Sequence, residues 1–201
     1  MIKNIIFDLG NVLLNYKPKD TLLRFTQDVA LIGSFIRDIN GSNTWLELDR
    51  GTITINEARE YFLSHFPEKK ELILLYFEHW VEDLIPIQEN IEILKELHRI
   101  GYETYILSNY MQEPYDIVKT KHDFFSLVDG KILSFEEHVV KPEKEIYQIL
   151  LSRFNLVPEE SVFIDDHQYV LDVAAQFGIN IILFHPKTDL KEKLRKFNVI
   201  I

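Results

Sequence analysis

The chain has 201 residues, 46% hydrophobic and 27% charged, with only 7 Gly and 7 Pro; this suits one sizeable core, or a core carrying a smaller insertion, and excludes a disordered or fibrous chain. A formal net charge of -10 argues against nucleic acid or an anionic membrane surface as a partner, and the lack of cysteine excludes disulfides, thiolate metal sites and a cysteine nucleophile. No stretch resembles a signal peptide or reaches the roughly 18–20 apolar residues that span a bilayer, so a soluble, cytoplasmic protein is expected.

The first element is "NIIF" (4–7), β-branched and aromatic without polar alternation, the pattern of a strand buried on both faces of a parallel sheet. It stops at Asp8, and the chain turns at Gly10. From about residue 17 to 84 no strand-like run is clear. The amphipathic stretches "DTLLRFTQDVALIGSFIRDI", "INEAREYFLSHF" and "KKELILLYFEHWVEDL" predict a helical bundle lying over the sheet, hinged near Asn15-Tyr16-Lys17 and Leu84-Ile85-Pro86. A helix over 90–101 closes at Gly101, a suitable C-cap. The strand "TYIL" (104–107) follows and ends in Ser108-Asn109. Lys141-Pro142 lies in the connection before a helix over 145–155. The strand "SVFI" (161–164) ends in Asp165-Asp166, a helix over 169–178 stops at Gly178, and "IILF" (181–184) is the fourth strand. Alternation of this kind predicts an α/β fold: a doubly wound, Rossmann-like parallel sheet formed by residues 1–16 and 85–201, with an inserted α-helical cap over 17–84.

Ligands of open parallel sheets bind outside the carboxyl ends of the strands. Three of the four runs end there in polar groups: Asp8, Ser108-Asn109 and Asp165-Asp166. Taken singly, a lone Asp is usually a turn or helix cap, a Ser-Asn pair a turn, and a lone Lys solvated surface. Two adjacent carboxylates at a strand end repel each other and gain most from a cation. Convergence of all these groups on one sheet edge points to a site.

"FDLGNVLL", "YILSN", "VVKPEKEIY" and "VFIDD", in this order, resemble the four motifs of the haloacid dehalogenase superfamily, in the group with a helical cap between the first two motifs. The "FDLGNV" form with an Asp-Asp fourth motif resembles the branch of bacterial α-D-glucose-1-phosphatase. The resemblance implies a phosphatase in which Asp8 attacks phosphorus and forms an aspartyl-phosphate. Ser108 and Asn109 would bind the phosphoryl group, and Lys141 would neutralise it and orient Asp8. Asp8, the Gly10 carbonyl, Asp165 and Asp166 would hold Mg²⁺. Charge balance supports a cation independently. Three carboxylates carry about −3 and a phosphate adds roughly −1.5 to −2 against one lysine, and oxygen-only ligands favour Mg²⁺ over zinc. The expected partner is a small-molecule phosphate ester, foremost a sugar phosphate.

The pattern departs from the family at several positions. Most such phosphatases carry a second Asp where Gly10 stands; that Asp protonates the leaving oxygen and later activates water, help worth about 10²–10⁴-fold. Gly10 keeps a carbonyl for the metal and permits a tightly turned approach. Three explanations stand: a leaving group needing little protonation, such as an anomeric sugar phosphate, which is preferred; a substitute donor, His167 or a cap residue; or weak catalysis. His138 replaces a common glycine in the loop carrying Lys141, and Val170 replaces an Asn that would support the metal ligands. Trp45, Glu47, Asp49 and Arg50 either line the cap entrance, Arg50 engaging a second anion, or form cap core and solvated face. Two other functions fit the residues less well: a 2-haloacid dehalogenase, which has no use for the acidic pair, and a catalytically silent binding protein, which has no use for the phosphate-and-metal constellation.

Overall fold

The computed structural model describes residues 1–201. Five strands, β1 (Asn4–Phe7), β2 (Glu103–Ser108), β3 (Gly130–Leu133), β4 (Ser161–Asp165) and β5 (Asn180–Leu183), form one all-parallel sheet in the order β3-β2-β1-β4-β5. The chain reverses its direction of travel across the sheet between β1 and β4, which makes their carboxyl ends the switch point where such sheets bind ligands. Register sharpens this placement. Phe7 lies opposite both Ile106 and Ile164, so Asp8 and Asp165 leave adjacent strands at one level.

The fifth strand, β3, lacks the apolar signature of the other four. It is a four-residue edge strand, "GKIL", in which only Ile132 and Leu133 are buried. Its Gly130 sits under the Phe154 ring, which a Cβ would meet at 2.3 Å.

Eleven helices surround the sheet. The insertion holds α1 (Pro18–Leu23), α2 (Val29–Phe35), α3 (Asn43–Arg50), α4 (Ile55–His65) and α5 (Lys70–His79); then come α6 (Gln88–Arg99), α7 (Gln112–Lys121), the single turn α8 (Ser134–Glu137), α9 (Lys144–Arg153), α10 (Gln168–Gln176) and α11 (Leu190–Arg195). The continuous helix expected over 20–39 is broken. Asp28 competes as an N-cap, its carboxylate accepting from the amides of Ala30 and Leu31. α3 was not expected as a helix, although its ends are written in the sequence: Ser42 caps the Trp45 amide, and Gly51 closes the helix at φ 73°. α4 carries a reciprocal capping box between Thr54 and Glu57. Gly101 and Gly178 do end their helices in the left-handed region.

Both sheet faces are buried, as the unalternating strands require. Ile6, Leu107 and Phe163 pack beneath Tyr147, Leu150 and Leu171 on one face. On the other, Ile5, Phe7, Ile106 and Ile164 belong to a cluster that runs without interruption into the insertion through Leu22, Phe35, Trp45 and Phe62. The two segments joining insertion and sheet lie side by side: the Asn15 amide donates to the Ile85 carbonyl (2.8 Å) and the Ile87 amide to the Leu13 carbonyl (2.9 Å). No helix is long and apolar enough to cross a membrane.

Candidate active site

A buried polar cluster stands at the switch point. Asp8 is 6% exposed, Lys141 5%, Ser108 1% and Asp165 not at all. Lys141 Nζ donates to Asp8 Oδ1 at 2.8 Å and to Asp165 Oδ2 at 2.6 Å, joining the tips of β1 and β4. Burial opposes the lysine charge, yet Asp165 and Asp8 hold it well above the usual range. Burial pushes Asp8 up to about 6; Lys141 pulls the other way, and the charges of Asp165 and Asp166 add to the rise. Asp165 is held below the ordinary carboxyl value. Its burial works against this, and Lys141 and the His167 contacts overcome it.

The acidic pair is arranged asymmetrically. Asp165 Oδ1 accepts from the His167 amide (2.8 Å), so both its oxygens are engaged. Asp166 Oδ2 accepts from Asn11 Nδ2 (3.0 Å), while the buried Oδ1 has no hydrogen bond. His167 Nδ1 lies 2.6 Å from that oxygen as a charge partner, and Asp165 and Asp166 push the imidazole up to about 10. The ligand atoms of Asp165, Asp166 and His167 converge within 4.8 Å; Asp8 is connected to this cluster through Lys141.

Asn11 was missed at the sequence level. It adopts φ 56°, its Oδ1 accepts from the Tyr16 amide, and its Nδ2 holds Asp166. Asn tolerates the left-handed region better than most residues, which was the available signal. The pair therefore keeps a side-chain amide, supplied from the β1 turn and not from position 170, where Val170 is buried core whose carbonyl accepts from Tyr147 Oη. The tight turn assigned to Gly10 belongs to Asn11. Gly10 has no left-handed backbone, and a Cβ there would meet nothing nearer than Asp8 Oδ2 at 3.8 Å.

Two expected phosphate binders are placed differently. Asn109 spends both side-chain atoms on the Lys141 backbone, Nδ2 donating to the carbonyl (3.0 Å) and Oδ1 accepting from the amide (2.7 Å), so it fixes the lysine. Ser108 is buried beneath the cleft and makes one long contact, 3.3 Å to the Asn109 carbonyl. In the insertion, Arg50 is not free for a second anion: it is bidentate on Glu143 (2.8 Å twice), with further bonds to Glu47 and the His138 carbonyl. His138 holds the left-handed conformation, φ 57°, that a glycine would take without strain.

Above the cluster a cleft runs between strand tips and insertion, reaching Asp8, Lys141, Asp165 and Asp166. It opens into a small chamber of about 80 Å³ walled by Leu14, Tyr16, Trp45, Trp80, Leu84, Tyr110 and Met111, with Gly10, Asp49 and Asn109 also lining it. Trp45 serves both as wall and as core, packed among Tyr16, Tyr76, Phe77 and Trp80 at ring distances of 6.5, 6.1, 6.0 and 5.6 Å.

A family model for haloacid dehalogenase-like hydrolases matches residues 2–178. The chain belongs to that family. As a member of it the protein is a hydrolase, and its curated relatives include a sesquiterpene phosphatase of Aspergillus oryzae, 27% identical over 82% of this chain and 80% of its own length. A D-ribitol-5-phosphate phosphatase of Bacteroides thetaiotaomicron is 22% identical over 96% of this chain and 97% of its own. Two longer relatives are spanned over only 18% and 36% of their length. Among solved structures, the magnesium complex of a haloacid dehalogenase family enzyme of Bacteroides thetaiotaomicron superposes with a TM-score of 0.76 at 24% identity, covering 96% of this chain and 98% of that one. The hydrolase site here fits a hard divalent cation on its own chemistry: the carboxylates of Asp8, Asp165 and Asp166 outnumber the cations Lys141 and His167 beside them, and the buried Asp166 Oδ1 makes no hydrogen bond, its neighbour being His167 Nδ1 at 2.6 Å.

Proposed function

We propose that the protein is a Mg²⁺-dependent phosphatase that hydrolyses a small phosphate monoester through an aspartyl-phosphate on Asp8. The observation that carries this reading is the Lys141 bridge between Asp8 and Asp165 beside Asp166, three carboxylates gathered at the switch point of the sheet. With Oδ1 held by Lys141, Asp8 Oδ2 is the oxygen that attacks phosphorus. Lys141 orients that carboxylate and faces the incoming phosphate, and Asn109 keeps the lysine backbone in place. Mg²⁺ held by Asp8, the Gly10 carbonyl, Asp165 and Asp166 would supply the positive charge that three carboxylates and a phosphate require. Residues 17–84 act as the cap, closing the cleft and excluding water.

The sugar-phosphate reading of the alcohol draws on the ribitol-5-phosphate relative. One observation favours a second reading: Leu14, Leu84, Met111 and the two Trp side chains give the chamber an apolar wall, suited to an apolar ring or chain, in keeping with the sesquiterpene phosphatase relative. A dehalogenase would leave Asp165 and Asp166 without use, since displacement of halide from carbon brings no dianion to neutralise. The test is hydrolysis of p-nitrophenyl phosphate with Mg²⁺ or EDTA, beside Asp8→Asn. Activity lost on either change supports the reading; activity that survives Asp8→Asn ends it.

A further inference from the structure

Gly10 leaves the departing oxygen without the usual proton donor, and the fold does not demand that glycine: its backbone is ordinary and a side chain would fit. The space such a side chain would enter is the junction of cleft and chamber, which Gly10 lines together with Asp49. His167 does not reach for it, being engaged with the acidic pair. Asp49 is half-buried, and its carboxylate has neither a salt bridge nor a hydrogen bond, while its backbone is firmly held. Ser134 Oγ donates to its carbonyl, and the next residue, Arg50, grips Glu143. A second residue of the chamber lining, Tyr110, holds a buried hydroxyl that also lacks a hydrogen-bond partner. An unpaired carboxyl and an unpaired phenol thus belong to residues bordering the space open to a substrate oxygen, and the cleft that Asp49 lines also holds Asp8.

We infer that Asp49 is the general acid and base of the phosphatase reaction, replacing from the insertion the side chain that Gly10 lacks. This rests on the phosphatase reading above. In the first step a bond forms between Asp8 Oδ2 and phosphorus, the ester P–O bond breaks with its electron pair going to the ester oxygen, and the Asp49 proton moves to that oxygen. In the second, a water oxygen bonds to phosphorus, the acyl-phosphate P–O bond breaks with its pair returning to Asp8, and the water proton goes to Asp49. Atoms and charge balance, and Asp49 is restored. Asp49 shares the lining of the cleft with Asp8, Lys141 and Tyr16, and that of the chamber with Tyr16 and Tyr110. Burial pushes its carboxyl up to about 7, Lys141 opposing and Asp8 adding, so a proton is at hand near neutrality. The substrate class widens accordingly: ordinary alkyl phosphates become substrates, and not only esters with activated leaving groups.

The Mg²⁺-loaded enzyme is assayed on p-nitrophenyl phosphate, whose leaving group needs no proton, and on 2-phenylethyl phosphate, whose leaving group does. Wild type is expected to use both. Asp49→Asn is expected to lose about 10²–10⁴-fold in kcat/KM on the alkyl ester and less than roughly tenfold on the aryl ester. Adding Gly10→Asp to that variant is expected to restore the alkyl reaction by at least roughly tenfold. Equal losses on both esters, or a wild type that accepts only the aryl ester, overturn the assignment of Asp49. The second of these needs no variant, so a poorly folded Asp49→Asn does not shield the inference. A wild type inactive on both esters, or active after Asp8→Asn, overturns the phosphatase reading instead.

Discussion

Replacing Lys141 by Met removes the cation of the site at nearly constant length, and the cost can be worked out from Asp165. That carboxylate is fully buried and its lysine partner is 2.6 Å away. Breaking a buried pair typically costs about 3–5 kcal/mol, because a charge is left uncompensated. A carboxyl escapes by taking up a proton. From the ordinary value of 3.8, that escape costs about 4 kcal/mol at pH 7 and under about 2 kcal/mol at pH 5, which caps the penalty at each pH. The sign follows from linkage. In wild type Asp165 sits below its unfolded value and stabilises the fold above it; in the variant it sits above, so stability is kept at low pH and lost as pH rises. Urea unfolding in EDTA should therefore show Lys141→Met less stable by about 3–4 kcal/mol at pH 7 and by under about 2 kcal/mol at pH 5, with an unchanged m-value. A loss equal at both pH values, or below about 1 kcal/mol at pH 7, would refute the bridge as a buried charge pair.

Three further outcomes are expected. Mg²⁺ at about 100 times its Kd should stabilise wild type by about 2.7 kcal/mol in thermal melts, with EDTA reversing the gain, while Asp166→Asn should lose most of that response. Gly51→Ala forces a Cβ to within 2.8 Å of the Phe135 carbonyl oxygen at a left-handed position, so a loss of about 2–3 kcal/mol in chemical denaturation is expected, against near-zero if α3 and α8 are not locked together. Arg50→Met breaks a part-buried bidentate pair and should cost about 1–3 kcal/mol of stability, and lower kcat/KM by more than roughly tenfold, as read by steady-state kinetics, because α3 loses its hold on the strand-tip loops.

What could be read from the sequence follows a physical rule. Asp8 and Asp165-Asp166 stood out because an apolar strand ending in a carboxylate is conspicuous, and strands buried on both faces announce themselves by composition alone. β3 did not, because an edge strand of four residues with Gly130 and Lys131 at its start has nothing apolar to show. The breaks and caps of the insertion were legible only residue by residue, as at Asp28 and Ser42, and a smooth amphipathic pattern over 20–39 concealed the first of them. Site residues whose partners are remote in the chain were the hardest. Nothing near Asn109 in sequence says that its amide will be used up on Lys141, 32 residues on, and nothing near Arg50 points to Glu143. At Gly10 the sequence shows the missing acid-base side chain directly, by comparison with the family pattern; only the tight turn expected there is displaced, to Asn11, because the Gly10 backbone is ordinary.

Side-chain ties join the insertion to the sheet around the candidate site. Arg50 ends α3 and grips Glu143, and Glu143 also accepts from the Val140 amide, one residue before Lys141. Lys141 is held from the other side by Asn109, at the end of β2. The carbonyl of Asp49 is fastened to Ser134, whose oxygen also receives the Tyr110 amide, so the wall of the chamber and the end of α3 share one anchor. Every one of these bonds runs through the loops that follow β2 and β3, the same loops that position the lysine. Lifting α3 off the sheet therefore cannot happen without loosening Lys141, and docking it brings Asp49, the chamber wall and the nucleophile's counter-charge into place together. On the function proposed above, a water-filled, open site would be one in which the Lys141 loop has also lost its restraints, and hydrolysis at Asp8 would be confined to the closed arrangement in which the leaving group already has its surroundings.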